Sequence, residues 1–323
     1  MPRRAFTRLL LSLALAAGGP AAAQDAERVL VMATGDVTGA YFSAGVALCR
    51  VANEGRREHG LRCSAVPSEG SVDNLRRLRE GSVELAITQS DVQAAALDGA
   101  GPFAEAGPFT GLRAVAALYP EPLALVTRAE AGVAGLADLP GKRVSVGAPG
   151  SGQRPSIAAL LERSGLKATA FAETLELGPA EAAIALCEGR IDAFFYMVGQ
   201  PALAITEATG GCGARLAAVE GPAVDALVAS EGFYFRAEIP AGTYVGQTAA
   251  VPTFGVGATL VTRDDVDAAS IETLAGAILA DLPALAGFDR RLAGLDAAAM
   301  RERGLSAPLH PGAEAAFDAA DGG

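Results

Sequence analysis

One local pattern occurs twice in this chain: an apolar run ends in a loop of small residues that opens a helix. Val29-Leu30-Val31-Met32-Ala33 runs into Thr34-Gly35-Asp36-Val37-Thr38-Gly39-Ala40-Tyr41, and Val144-Ser145-Val146 runs into Gly147-Ala148-Pro149-Gly150-Ser151-Gly152-Gln153-Arg154. A strand feeding a Gly/Ser/Thr turn at a helix start leaves free backbone N–H groups beside hydroxyls, which suits an anion. Two such units in one chain predict two lobes whose loops close on one ligand.

The pattern around them is repeated strand, loop and helix, the grammar of a doubly wound, mostly parallel α/β sheet. Helical spacing covers Phe42 to Asn53, Val72 to Glu80, Ile157 to Ser164 and Ala180 to Cys187. Strand-like runs cover Leu61 to Val66, Val83 to Thr88, Leu112 to Leu118, Leu123 to Thr127 and Ile191 to Met197. Tyr119-Pro120-Glu121-Pro122 separates two of these runs, where two prolines remove donors and stiffen a crossing between lobes. The apolar stretch Thr248 to Thr262 reads as the return crossing, and the alanine-rich remainder as helices packed on the first lobe. The expected organisation is therefore a leader at 1–23, a first lobe at 24–120 and 256–323, and a second lobe at 121–255.

Arg3, Arg4 and Arg8, the apolar Leu9 to Ala17 and Ala21-Ala22-Ala23 read as a secretory signal peptide cleaved after Ala23. The apolar stretch falls short of the roughly 20 residues that a membrane span needs, so the expectation is an exported, periplasmic protein. Without the leader arginines the net charge falls from −11 to −14, which disfavours nucleic acid and anionic membrane surfaces as partners. Cys49, Cys63, Cys187 and Cys212 in an exported chain point to disulfides rather than metal or redox work. Three pairings are open. The sequence-local one, Cys49–Cys63 and Cys187–Cys212, keeps each pair inside one candidate lobe. Tryptophan is absent, which disfavours a sugar cleft built on stacked rings.

Enzyme motifs fail in turn. A Ser-His-Asp triad or histidine metal centre has only His59, in a charged turn, and His310, in a terminal loop, to draw on. Gly135 to Lys142 has the wrong glycine spacing for a phosphate loop, Arg143 stands where Ser/Thr would hold magnesium, and a strand follows it. No nucleophile elbow and no dinucleotide fingerprint is present, so no cofactor and no metal are expected. What remains are polar loops at the carboxyl ends of strands, where open α/β sheets bind ligands. They carry Thr38 and Tyr41, then Ser71 and Asn74, then Gln89, Ser90 and Asp91, and in the second lobe Ser151, Gln153 and Arg154. Any of the small polar ones also serves as an ordinary helix cap. Arg154 is more informative, because a cation at a helix N-terminus needs an anionic partner.

At these loops the chain resembles the solute-binding subunits of TAXI-type TRAP (tripartite ATP-independent periplasmic) transporters. The matching segments are Thr34 to Phe42, Glu69-Gly70-Ser71-Val72-Asp73-Asn74-Leu75, Gln89-Ser90-Asp91-Val92, Gly147-Ala148-Pro149-Gly150-Ser151-Gly152, Tyr196-Met197-Val198-Gly199-Gln200-Pro201 and Pro308-Leu309-His310-Pro311-Gly312-Ala313. They follow one order through nearly all of the chain past the leader. The resemblance implies a two-lobed clamshell with two hinge crossings, monomeric, that captures a small carboxylate for an ion-gradient-driven TRAP permease. Family ligands are acidic or amide amino acids, such as glutamate, and 2-oxo acids, and the resemblance adds Tyr196 to the candidate contacts. Many relatives carry a small residue where this chain has Asp36, a departure that favours a zwitterion. The competing expectations are an exported α/β hydrolase or transferase, and a receptor that signals to a membrane sensor.

Overall fold

A computed structural model describes residues 27–322; the expected leader lies outside them. Three parallel strands, β1 (Arg28–Ala33), β2 (Leu61–Val66) and β3 (Leu85–Gln89), build the first half of the sheet. Two long strands, β4 (Leu112–Thr127) and its antiparallel partner β10 (Val251–Arg263), then carry the chain across. Between them in sequence lie β5 (Arg143–Ser145), β6 (Glu173–Leu175), β7 (Ala193–Met197), β8 (Arg215–Ala217) and β9 (Phe235–Ile239). The sheet order is β2-β1-β3-β10-β4-β7-β5-β6, with β8 added to β4 and β9 to β10. β5, β6 and β7 are mutually parallel and β7 runs antiparallel to β4, so each half is mostly parallel and the junction is antiparallel.

The two prolines do not divide a pair of strands as their donor loss suggests. β4 runs unbroken from Leu112 to Thr127, because β10 adjusts instead: its register shifts between Gly257 and Thr259, next to the Gly257–Pro120 pairing. A Cβ on Gly255 would sit 2.8 Å from the Glu121 carbonyl oxygen, so glycine permits the close approach of the two strands there.

Helices cover the sheet because their apolar faces have nowhere else to go. Ala44, Leu48 and Val51 of helix Ala40–Glu54 are buried, as are Ile157, Leu160 and Leu161 of helix Gln153–Arg163. Both disulfides follow the sequence-local pairing, Cys49–Cys63 and Cys187–Cys212, each within one half. The C-terminus returns to the first half: the His310 N–H donates to the Ala114 carbonyl, and His310 Nδ1 accepts from Gly312 N to cap helix Pro311–Asp321. Among the described residues no single helix is long and apolar enough to cross a membrane. The apolar side chains Ile271, Leu274, Ile278 and Leu285 of the bent pair Ala268–Ala280 and Leu282–Phe288 are buried in the protein.

Candidate functional site

The carboxyl ends of β1, β3 and β7 point into a cavity of about 110 Å³ between the halves. At about 30 Å³ per water in the liquid this is space for roughly four waters, the scale of a small metabolite. From the first half come Gly35, Asp36, Gly39 and Tyr41 of the loop after β1, with Ser71 and Gln89; from the second come Ser151, Gly152, Gln153 and Tyr196. Glu121 enters from β4, the strand the halves share.

The second-half loop is docked rather than open. The Gly150 carbonyl accepts from Val72 N (3.1 Å) and Asp73 N (3.2 Å), the first donors of helix Ser71–Arg79. Those N–H groups are therefore spent on the opposite half. A Cβ on Gly152 would collide with the Gln89 amide and the Ser71 hydroxyl, so a glycine is what lets the halves meet. Gln153 locks the same loop to its own sheet, its Nε2 donating to Phe195 O (3.0 Å) and its Oε1 accepting from Met197 N (3.3 Å). By contrast helix Ala40–Glu54 starts at Gly39 with no side-chain cap, beside the cavity.

The electrostatics run against a simple anion site. The lining holds the carboxyl groups of Asp36, Glu69 and Glu121 and, among the described residues, no lysine, arginine or histidine. Glu121 is 2% exposed, and its Oε2 accepts from the Tyr41 hydroxyl at 2.7 Å. Burial first, and the nearby Asp91 charge after it, push its carboxyl up to about 8, against the Tyr41 hydrogen bond. Gln89 Oε1 is buried with no partner among the described residues.

These features sit on a recognisable frame. The model of the NMT1-like family matches residues 32–319. This chain belongs to the NMT1-like family. Solved structures similar to this NMT1-like chain include a protein from Bordetella bronchiseptica RB50, at 18% identity over 91% of this chain and 80% of that one, with a TM-score of 0.51. A Listeria monocytogenes protein assigned as an L-cystine ABC transporter matches at 15% identity over 83% and 97%, with a TM-score of 0.50. The Escherichia coli periplasmic aliphatic sulphonate binding protein SsuA matches at 17% over 91% and 83%, with a TM-score of 0.48. At these identities the likeness is one of fold, the two-lobed α/β architecture.

Of the positions read from the NMT1-like sequence, Tyr41, Ser71, Gln89, Ser151, Gln153 and Tyr196 line the cavity. The others sit elsewhere. Thr38 N and Oγ1 both bond the Asp36 carboxylate of their own loop. Asn74 is fully buried and its Nδ2 ties Thr34 O to Ile87 O, stapling β1 to β3. Ser90 Oγ donates to Phe233 O (3.3 Å) and accepts from Gly257 N (3.0 Å). Asp91 accepts from Ser156 Oγ (2.5 Å) and the Tyr234 hydroxyl (3.2 Å) of the second half, making it a clasp between halves. Arg154 finds its anionic partner within the protein, the Glu176 carboxylate, and faces an outer groove with Ile157 and Leu161. Glu69 and Glu121 escaped the reading from sequence. The signal for Glu121 was present: one acidic residue inside an otherwise apolar run from Leu112 to Val126, broken otherwise only by Arg113.

Proposed function

We propose that this protein is a solute-binding receptor of the TAXI type, which captures a small organic solute in the periplasm and delivers it to an ion-gradient-driven TRAP permease. The observation that carries this reading is the cleft of about 110 Å³ lined by both halves, whose loops meet across it through Gly150 and helix Ser71–Arg79. A cleft lined from both sides gives its solute more contacts when the halves approach, so in this reading binding and closure are one equilibrium. The hinge lies where β4 and β10 cross, at 120/121 and 255/256. Six cavity residues, Tyr41, Ser71, Gln89, Ser151, Gln153 and Tyr196, contact the solute in this reading. The export signal read at residues 1–23 and the order of the six motifs support the periplasmic TRAP assignment.

The carboxylate lining separates the ligand groups considered from sequence. An acidic or amide amino acid brings an ammonium group that offsets the Asp36 and Glu69 charges, whereas a 2-oxo or dicarboxylic acid brings no cation to offset them. The uncapped start of helix Ala40–Glu54 leaves donors for the amino acid's carboxylate end. Mass spectrometry of the solute that co-purifies, followed by calorimetric add-back, tests the receptor reading. Recovery of an unchanged solute that binds again supports it; conversion of that solute into a product overturns it in favour of an exported enzyme.

A further inference from the structure

We infer that Glu121 is the anchor for a primary ammonium group on the captured solute, selecting solutes that carry an amine over solutes whose only charges are carboxylates. This rests on the receptor reading above and assigns the chemistry at the cavity floor.

Three independent features converge. The lining offers a surplus of acceptors at one end: Asp36, Glu69 and Glu121 supply carboxyl oxygens, and Gln89 Oε1 is buried with no partner among the described residues, while the Tyr196 hydroxyl and the start of helix Ala40–Glu54 remain as donors. The Ser151 hydroxyl already donates to Ala148 O at 2.7 Å, and Tyr41 to Glu121 at 2.7 Å. The carboxyl oxygens and Gln89 Oε1 are matched by a ligand that brings N–H groups, and an ammonium brings three. Next, the cations near the site are engaged. Arg291 is held by the Asp289 carboxylate at 2.6 Å and by the Pro201 carbonyl at 3.1 Å, and Arg154 by Glu176. Neither lines the cavity. Finally, Glu121 lies on β4, opposite Val256 of β10, on the pair of strands common to both halves. A charge neutralised there is neutralised for the closed state as a whole.

The burial of Glu121 fits the same assignment. A carboxyl raised to about 8 keeps its proton in the solvent-filled cavity at neutral pH and gives it up when an ammonium arrives, since the opposite charge favours the ionised form. The groups facing it are Tyr41 from helix Ala40–Glu54, Tyr119 on its own strand, Tyr196 from β7, Asp91 in the first turn of helix Ser90–Asp98, and Arg291. The phenols all have their acidity suppressed by burial, so none competes for the proton below pH 8.

Isothermal titration calorimetry of the processed protein at pH 7 tests the anchor with two probe series. L-glutamine, L-glutamate, L-alanine and ethanolamine carry the amine; 2-oxoglutarate, succinate and pyruvate lack it. At least one amine binds and the carboxylates alone do not, and the isosteric Glu121→Gln variant weakens the amine about 30-fold or more, as loss of one partner in a buried charge pair does. Amine affinity rises from pH 6 to pH 8 in the wild type and is flat in Glu121→Gln, a dependence that a merely structural glutamate does not produce. Circular dichroism and the thermal midpoint confirm that the variant folds. Binding of the carboxylate series with equal or greater affinity, or an unchanged amine affinity in Glu121→Gln, overturns the anchor and leaves the receptor reading standing. Failure of both series in the wild type overturns the receptor reading with it.

Discussion

The two strand–loop–helix units share a local grammar and do different jobs. The loop after β1 is closed on its own chain, Asp36 accepting from the Thr38 amide and hydroxyl and Gly39 N donating to Asp36 O, and its helix start faces the cavity. The loop after β5 is closed on the other half, where its Gly150 carbonyl satisfies the first donors of helix Ser71–Arg79. Free N–H groups at a helix start demand an acceptor but do not specify its source. In one unit the demand is left to whatever occupies the cavity, and in the other the protein meets it. A pattern that marks donors in a sequence thus marks either a ligand contact or a closing contact.

The largest test of this contrast concerns Asp91, the clasp between halves. Burial raises its carboxyl to about 6. Because the folded value lies above the ordinary value of 3.8, the stability tied to its proton is complete below about pH 4 and is lost as pH rises through 6. Asp91→Asn removes that loss, up to about 3 kcal/mol by linkage. Denaturant titrations at pH 5 and pH 8 are expected to show a smaller decline in the variant than in the wild type; equal declines would mean that the clasp does not titrate.

Next comes the meeting point itself. Gly152→Ala puts a methyl against Gln89 and Ser71 of the opposite half while its backbone, at φ −71°, tolerates any residue. An overpacked contact costs about 1–3 kcal/mol, so affinity for the co-purified solute falls roughly 10- to 100-fold, with the fold of each half kept. Calorimetry reads the affinity and small-angle scattering reads the opening. Gly39→Ala in the other unit is tight only against its own Asp36 carbonyl, at 3.0 Å, and reaches the opposite half at ordinary contact distance, 3.7 Å from the Tyr196 hydroxyl. We expect a loss of under about 1 kcal/mol there, and a larger loss than at Gly152 would reverse the roles of the two loops. Smallest is Arg154→Ala. Its ion pair with Glu176 is partly exposed, with side-chain exposures of 36% and 45%, and such pairs contribute about 0–1 kcal/mol. Solute affinity is expected to stay within about twofold, and a larger drop in calorimetry would place Arg154 back at the ligand.

Periodicity located most of the framework because burial is periodic: Leu61 to Val66 is a strand as read, and helix Ala40–Glu54 exceeds its expected span by only a few residues. The cavity positions at strand ends, Ser71, Gln89 and Ser151 among them, were legible for the topological reason that loops there converge. What stayed hidden depends on contacts distant in sequence. Asn74 and Asp91 look like loop polar groups until β1, Ser156 and Tyr234 are placed beside them. Arg154 looks like a ligand cation until Glu176 is brought alongside it. Glu121 was masked by its prolines: Pro-Glu-Pro reads as a stiff connector, whereas the register shift in β10 lets the strand continue and turns its side chain inward.

That continuous strand pair has a mechanical corollary. Two hydrogen-bonded strands that belong to both bodies act as a leaf spring, not as a tether, because bending or twisting them must keep their ladder intact. Such a joint confines the motion to one principal path and supplies a restoring torque along it. In the receptor reading the molecule therefore has a preferred angle of its own, and the proposed solute must do work against that angle or be helped by it.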